Sequence, residues 1–223
     1  MDKDDLIKKL EKPFDGLNAN DAESFKDECF KIAENLINEF CIQCGKKKYY
    51  FAELEFYYYQ TDRWNMEWNE KTYPRKNKKA GDFFFHYSGF DICFDSNFDE
   101  KMAKFGGILI RSLKDEKGNF ITGPSVCALE LMNVCYEQKE LPELTPCSNI
   151  ESKICEKPIK RYGIKYIDQQ EDKNLCFYDE RIKDKLRNEF EDDPTWDYSK
   201  NNKGEVKGIK KRVRYYKKRF ENQ

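Results

Sequence analysis

The chain has one histidine, His86, so a metal site made in the usual way from imidazoles and thiolates would have to come from cysteine alone. No apolar run approaches the roughly 18 residues that a membrane span requires, which excludes a helical membrane protein. The opening MDKDDLIKKLEK lacks the hydrophobic stretch of a secretory signal. Nine cysteines are spread from Cys29 to Cys176, an odd count without the spacing of a disulfide framework. With no export signal, they are expected to be reduced thiols in a cytoplasmic protein. The one metal-like spacing, Cys41-Ile-Gln-Cys44, needs Cys147 and Cys155 to make four thiolates; small apolar core residues are the plainer expectation, and no metal is assigned. Internal repeats are absent too.

Net charge is nearly absent, at −1, but its distribution is uneven. Residues 203–223 hold nine lysines and arginines against two glutamates, a charge of +7. That leaves 32 basic and 40 acidic side chains, and −8, on the preceding 202 residues. An acidic body with a basic tail bears on any nucleic-acid reading.

What is present is aromatic: 15% of the chain is Phe, Tyr or Trp within a hydrophobic content of 39%, enough to bury a sizeable core. After a lead-in through LEKPFDG, Asn20 or Asp21 can cap a helix in which Phe25, Cys29, Ile32, Leu36, Ile37 and Phe40 recur at helical spacing. Gly45 and its lysines turn the chain into a strand. RWNMEWNEKTYPRKNKKAG is a long polar, basic loop, the kind that binds or lines a site. DFFFHYSG and DICFDS read as strands about a turn at Ser88–Gly89, and FGGILIRSLKD as another closed at Lys117–Gly118–Asn119. Pro124 sits in the first turn of a helix reaching about Tyr136. ICEKPIKRYGIKYI and NLCFYDERI are two more strands, and DDPTWDYSKNNKGE a linker. The tail GIKKRVRYYKKRF spaces Ile209, Val213, Tyr216 and Phe220 helically opposite a basic face. The pattern is α+β: a single domain over residues 1–190 with mostly antiparallel strands, then a linker and basic tail over 191–223.

One stretch is chemically unusual. In YYFAELEFYYY, Tyr49 to Tyr59, a period of two puts Tyr50, Ala52, Leu54, Phe56 and Tyr58 on one face. Tyr49, Phe51, Glu53, Glu55, Tyr57 and Tyr59 share the other. Both faces carry large rings. Either a carboxylate sits in an aromatic pocket, where it is costly unless paired or used, or both glutamates are solvated on an outward face.

Several of these pieces, in this order, resemble the alkyladenine (3-methyladenine) DNA glycosylase family. KIAENLINEFC is similar to its helix of the type VARxLLG, and AELEFYY to its ETEAY strand. TYPRKNKKAGDFFFHYSGFDICF resembles TPRNxxMFxxPGxxYVYxxYGxxxCxN, and GGILIRSL resembles VLLRAxEP. ITGPSVCALELMN, and KPIKRYGIKY followed by LCFYD, also have counterparts, so the likeness spans roughly residues 10 to 185. It implies a curved, mostly antiparallel sheet with flanking helices, to which the charge pattern adds a basic C-terminal tail. It further implies a monomer that binds duplex DNA, uses no cofactor, and hydrolyses the N-glycosidic bond of a flipped, damaged purine. In that scheme Glu55 is the water-activating carboxylate, Arg111 orients it, and Tyr57 stacks on the base. His86, Tyr87, Ser88 and Asp95 line the substrate region. Because the body is acidic, phosphate contacts are expected from the basic loop and tail, at Arg75, Lys76, Lys78, Lys79, Lys210, Lys211, Arg212 and Arg214.

The departures are specific. QTDRWNMEW, after the stacking tyrosine, has no counterpart of the family's histidine; the family's wedging tyrosine aligns with Ser88, with Tyr87 beside it; and the pocket asparagine aligns with Asp95. Two alternatives stay open: a nucleic-acid or nucleotide-binding module on the same fold without turnover, and an N-glycosidase acting on nucleosides or RNA.

Overall fold

The computed structural model describes residues 1–15, 22–60, 75, 77–99, 102–147 and 176–179, all within Met1–Ile182. The lead-in turns out to be helical. Asp2 accepts a hydrogen bond from the Asp5 backbone N–H (2.8 Å), acids fill the first turn and lysines the last, as the helix dipole favours. Helix α1, Lys3–Glu11, buries Leu6 and Leu10, one helical turn apart. Phe14 then locks it down, with its ring 4.4 Å from Phe25, 4.7 Å from Tyr58 and 5.8 Å from Phe94, centre to centre.

Helix α2, Ala22–Glu39, buries Cys29, Ile32, Ala33, Leu36 and Ile37 as their spacing requires. Phe40, expected on the helix, instead opens strand β1, Phe40–Cys44. β1 gains ladders on both sides, to β2 (Lys47–Gln60) and β7 (Glu143–Pro146), and that pairing overrides the helical periodicity. Gly45, in the turn between β1 and β2, has φ +59°, a left-handed conformation that glycine adopts without penalty.

The remaining elements are β3 (Phe83–His86), β4 (Gly89–Asp99), β5 (Met102–Asp115), β6 (Phe120–Thr122), helix α3 (Pro124–Gln138) and β8 (Cys176–Tyr178). Every described pairing is antiparallel, in the order β3-β4-β5-β2-β1-β7, with β6 on β5 and β8 on β2. The sheet curls into half a barrel, the α+β architecture expected. β1, β6 and β7 are not among the strands expected from the sequence. The strand expected over ICEKPIKRYGIKYI, the linker and the basic tail lie outside the described residues.

Along β2, core membership changes phase. Tyr49 and Phe51 join the hydrophobic cluster before the β2–β5 register is interrupted between Phe51 and Leu54; Leu54, Phe56 and Tyr58 join it after. β5 changes in step, with Ile108 and Ile110 on one side of the interruption and Leu113 on the other. Glu53 and Glu55 thus alternate with Leu54, Phe56 and Tyr58 and face away from them.

Two adjacent glycines on β5 admit bulk on both faces. A Cβ on Gly106 would stand 2.2 Å from the Phe94 ring, and one on Gly107 would stand 2.0 Å from the Arg75 guanidinium. Gly106→Ala is therefore expected to lower unfolding free energy by about 1–3 kcal/mol through overpacking. The midpoint of urea unfolding measures this; an unchanged midpoint would mean that the Phe94 ring has room to move.

Candidate active site

Glu53 and Glu55 are both buried, at 4% and 0% exposure, on the middle strand of the sheet. Carboxylates there need partners, and β5 supplies them. Arg111, in the interrupted stretch of the ladder, donates from Nε to Glu53 Oε1 (3.1 Å) and from Nη1 to Glu55 Oε2 (2.6 Å). The next residue, Ser112, donates from Oγ to Glu53 Oε2 (2.9 Å). Strict alternation would send Arg111 and Ser112 to opposite faces; the interruption brings both to one carboxylate. Tyr57, two residues along the same face, donates its hydroxyl to Glu55 Oε1 (2.6 Å). The short distances to Glu55 are those of charge-assisted hydrogen bonds.

The order of these bonds assigns roles. Ser112 holds Glu53, Glu53 holds the guanidinium, and the guanidinium and Tyr57 hold Glu55. Two carboxylates against one guanidinium leave the group one unit negative. α3 closes it from behind, because the Gly123 N–H donates to the Arg111 carbonyl (2.8 Å) and the Cys127 thiol lies 3.6 Å from the same oxygen. Burial pushes the Cys127 thiol up, with the Glu53 charge adding to it, so this cysteine is inert packing.

A second polar group lies on the same sheet face. Glu55 is opposite Leu109 on β5, and Leu109 is opposite Asp91 on β4, so Asp91 is about 9–10 Å from Glu55 by two strand spacings. Asp91 is paired with Arg75, whose guanidinium covers Gly107 and stands 5.6 Å from the Phe84 ring centre. His86 Nε2 is 3.1 Å from the other Asp91 oxygen, and Ser88 Oγ is 3.1 Å from His86 Nδ1. Ser125, in the first turn of α3, donates to the Ser88 carbonyl (3.2 Å), which anchors the β3–β4 turn. Tyr87, beside Ser88, is 96% exposed.

The structure therefore unites Glu55, Arg111 and Tyr57, places His86 on β3, two strands beyond β5, with Ser88 in the turn that follows, and leaves Tyr87 at the hairpin tip. Two expectations are corrected. Asp95 does not join Glu55: β4 bulges between Phe94 and Asn97, Asp95 takes φ +43°, and its carboxylate accepts the Tyr58 hydroxyl (2.7 Å), on the core side of β2. Arg75 cannot meet a phosphate, because it is 1% exposed and paired with Asp91. Lys78 is half-buried and Lys79 exposed; Lys76, Lys210, Lys211, Arg212 and Arg214 lie outside the described residues. The CxxC reading also fails locally. Cys41 and Cys44, three apart on a strand, point to opposite sides, and among the described residues no group of three metal-ligating side chains converges. Cys155 lies outside them.

Sequence reasoning missed Glu53, Ser112 and Asp91 as members of these groups. Glu53 carried a signal, since it shares Glu55's face at a spacing of two. Asp91 carried only its place within the apolar run from Phe90 to Phe94. Among the described residues, no helix is long and apolar enough to cross a membrane. No family model, curated protein or solved structure matches the chain.

Removing the guanidinium while keeping its bulk leaves two buried carboxylates uncompensated. Arg111→Met is expected to cost about 3–5 kcal/mol, whereas Tyr57→Phe, which removes one hydrogen bond to a charged group, costs about 1.5–3 kcal/mol. Chemical denaturation of the two variants measures both; equal losses would contradict the ordering of roles given above.

Proposed function

We propose that this chain is an N-glycosidic hydrolase of the DNA glycosylase type, releasing a damaged or modified purine from a nucleotide extruded from duplex DNA. The observation that carries this reading is Glu55, a fully buried carboxylate held between Arg111 and Tyr57 at 2.6 Å from each. Such a group is expensive to build and is fixed in space, as a general base must be. In the reaction, Glu55 takes a proton from water as that water attacks the sugar C1′, the purine leaves with the bonding pair, and positive character develops on the sugar. The net negative charge of the Glu53–Arg111–Glu55 group stabilises that positive character. Tyr57, with its hydroxyl committed to Glu55, has its ring fixed for stacking on an extruded base. Tyr87, exposed at the tip of a turn braced by Ser125 and Pro124, suits the space the base leaves behind better than Ser88, which is bonded to His86.

A second reading, a binding module without turnover, is favoured by a single observation: both oxygens of Glu55 already accept hydrogen bonds inside the protein. Duplexes carrying hypoxanthine, alkylated purines or etheno adducts separate the two. Base release from any of them, slowed about 10²–10⁴-fold in Glu55→Gln with binding retained, is the expected result. Binding without release in the unmodified chain would establish the module instead.

The acidic body leaves phosphate contacts to its exposed lysines and to the tail beyond Asn202. Each phosphate neutralised contributes about −0.9 to the slope of log K against log salt. If about four of the nine basic tail residues touch phosphates, truncation after Asn202 flattens that slope by roughly 3–4 units while turnover on saturating DNA stays constant. A folded, truncated protein with an unchanged slope would assign the tail a structural role.

A further inference from the structure

Two thiol pairs flank β1, one on each side, and they differ in kind. Cys44 Sγ lies 3.4 Å from Cys135 Sγ of α3, and burial pushes the Cys44 thiol up to about 12. On the other side, Cys41 is opposite Tyr50 of β2 and Thr145 of β7. Cys147, just past β7, donates its backbone N–H to the Glu39 carbonyl (2.7 Å), which continues the β7 register and puts its side chain on the side of Thr145 and Cys41. Cys41 and Cys147 therefore stand diagonally across β1 and the end of β7 on one face of the sheet. Cys41 is buried, whereas Cys147 is only half-buried. Two cations attend this pair: Lys48 and Lys114, the latter with its ammonium 5.2 Å from the Tyr50 ring centre.

We propose that Cys147 is a reactive thiol that forms mixed disulfides with low-molecular-weight disulfides of the glutathione type, and that Cys41 is its resolving partner. Accessibility, a second thiol on the same strand face and two neighbouring ammonium groups are the conditions under which a thiolate persists and attacks. The hydrogen bond from Cys41, followed by the Lys48 and Lys114 charges, holds the Cys147 thiol below its ordinary range, while the same hydrogen bond and burial raise Cys41. Cys147 thiolate attacks one sulfur of glutathione disulfide, the S–S bond breaks, and one glutathione thiolate leaves. Cys41 then gives up its proton to solvent and attacks the Cys147 sulfur, releasing a second glutathione. The protein loses two electrons and two protons, and one glutathione disulfide becomes two thiols. The product ties β1 to the chain beyond β7. This chemistry is independent of the glycosidase reading.

The full chain, native and treated with glutathione disulfide, then acid-quenched and peptide-mapped, tests the proposal. A Cys41–Cys147 link is expected in the unmodified chain, and glutathione retained on Cys147 in Cys41→Ser. A mutation-free reading guards against misfolding of that variant: brief iodoacetamide labelling near pH 7 should modify Cys147 at least about tenfold faster than Cys44. Lys48→Gln should slow that labelling severalfold. Preferential linkage of Cys44 to Cys135, or labelling of Cys147 no faster than Cys44, would overturn the proposal.

Discussion

The fork made by Arg111 between Glu53 and Glu55 is the constraint around which the sheet is arranged. A guanidinium and two carboxylates cannot be buried singly, because each desolvated charge costs several kcal/mol unless its partners are in place. They are buried together here, on adjacent central strands, and the ladder gives way to allow it. The interruption between Phe51 and Leu54 is where Ser112 joins Arg111 on Glu53, and where core membership changes phase on both strands. Satisfying the charges sets the local geometry of the backbone, and the packing of the two halves of β2 follows.

The neighbouring strands repeat this logic with glycine. Gly106 and Gly107 remove side chains from both faces of β5 at successive positions, and Phe94 fills one gap while Arg75 fills the other. Arg75 then pairs with Asp91, and Asp91 meets His86. One sheet face thus carries two buried ion-pair groups in a row, and the opposite face carries a continuous aromatic core of Phe14, Phe25, Tyr58, Phe94, Phe56 and Phe177. The bonds from Arg111 and Tyr57 fix the Glu55 carboxylate in place.

The thiols of β1 show how strand geometry redistributes chemistry. A CxxC spacing converges on a metal when its backbone turns; on a strand it diverges, and each cysteine takes a partner from another element. Cys44 meets the Cys135 thiol and the Glu140 carbonyl, and Cys41 faces the side of β7 that carries Cys147. The same residue type at two positions three apart therefore meets different partners, with both thiols raised above their ordinary range.

Composition and periodicity were enough for the α+β class, not for every element. Alternating runs rich in Phe, Tyr and Ile read as strands, the i, i+3, i+7 spacing of Cys29, Ile32 and Leu36 as a buried helix face, and Pro124 marked the start of α3. Glu53 and Glu55 were conspicuous because a period of two put acids among rings. The partners of these residues were not legible. Nothing local distinguishes an arginine that ends a strand from one that forks between two carboxylates, or Arg75 in a basic loop from Arg75 buried under Asp91. Asp95, aligned by its neighbours with a pocket, turns to Tyr58 because a bulge gives it a positive φ. Periodicity reports which way a side chain leaves its own strand; register, bulges and the approach of distant segments decide what it meets, and those are properties of the folded sheet.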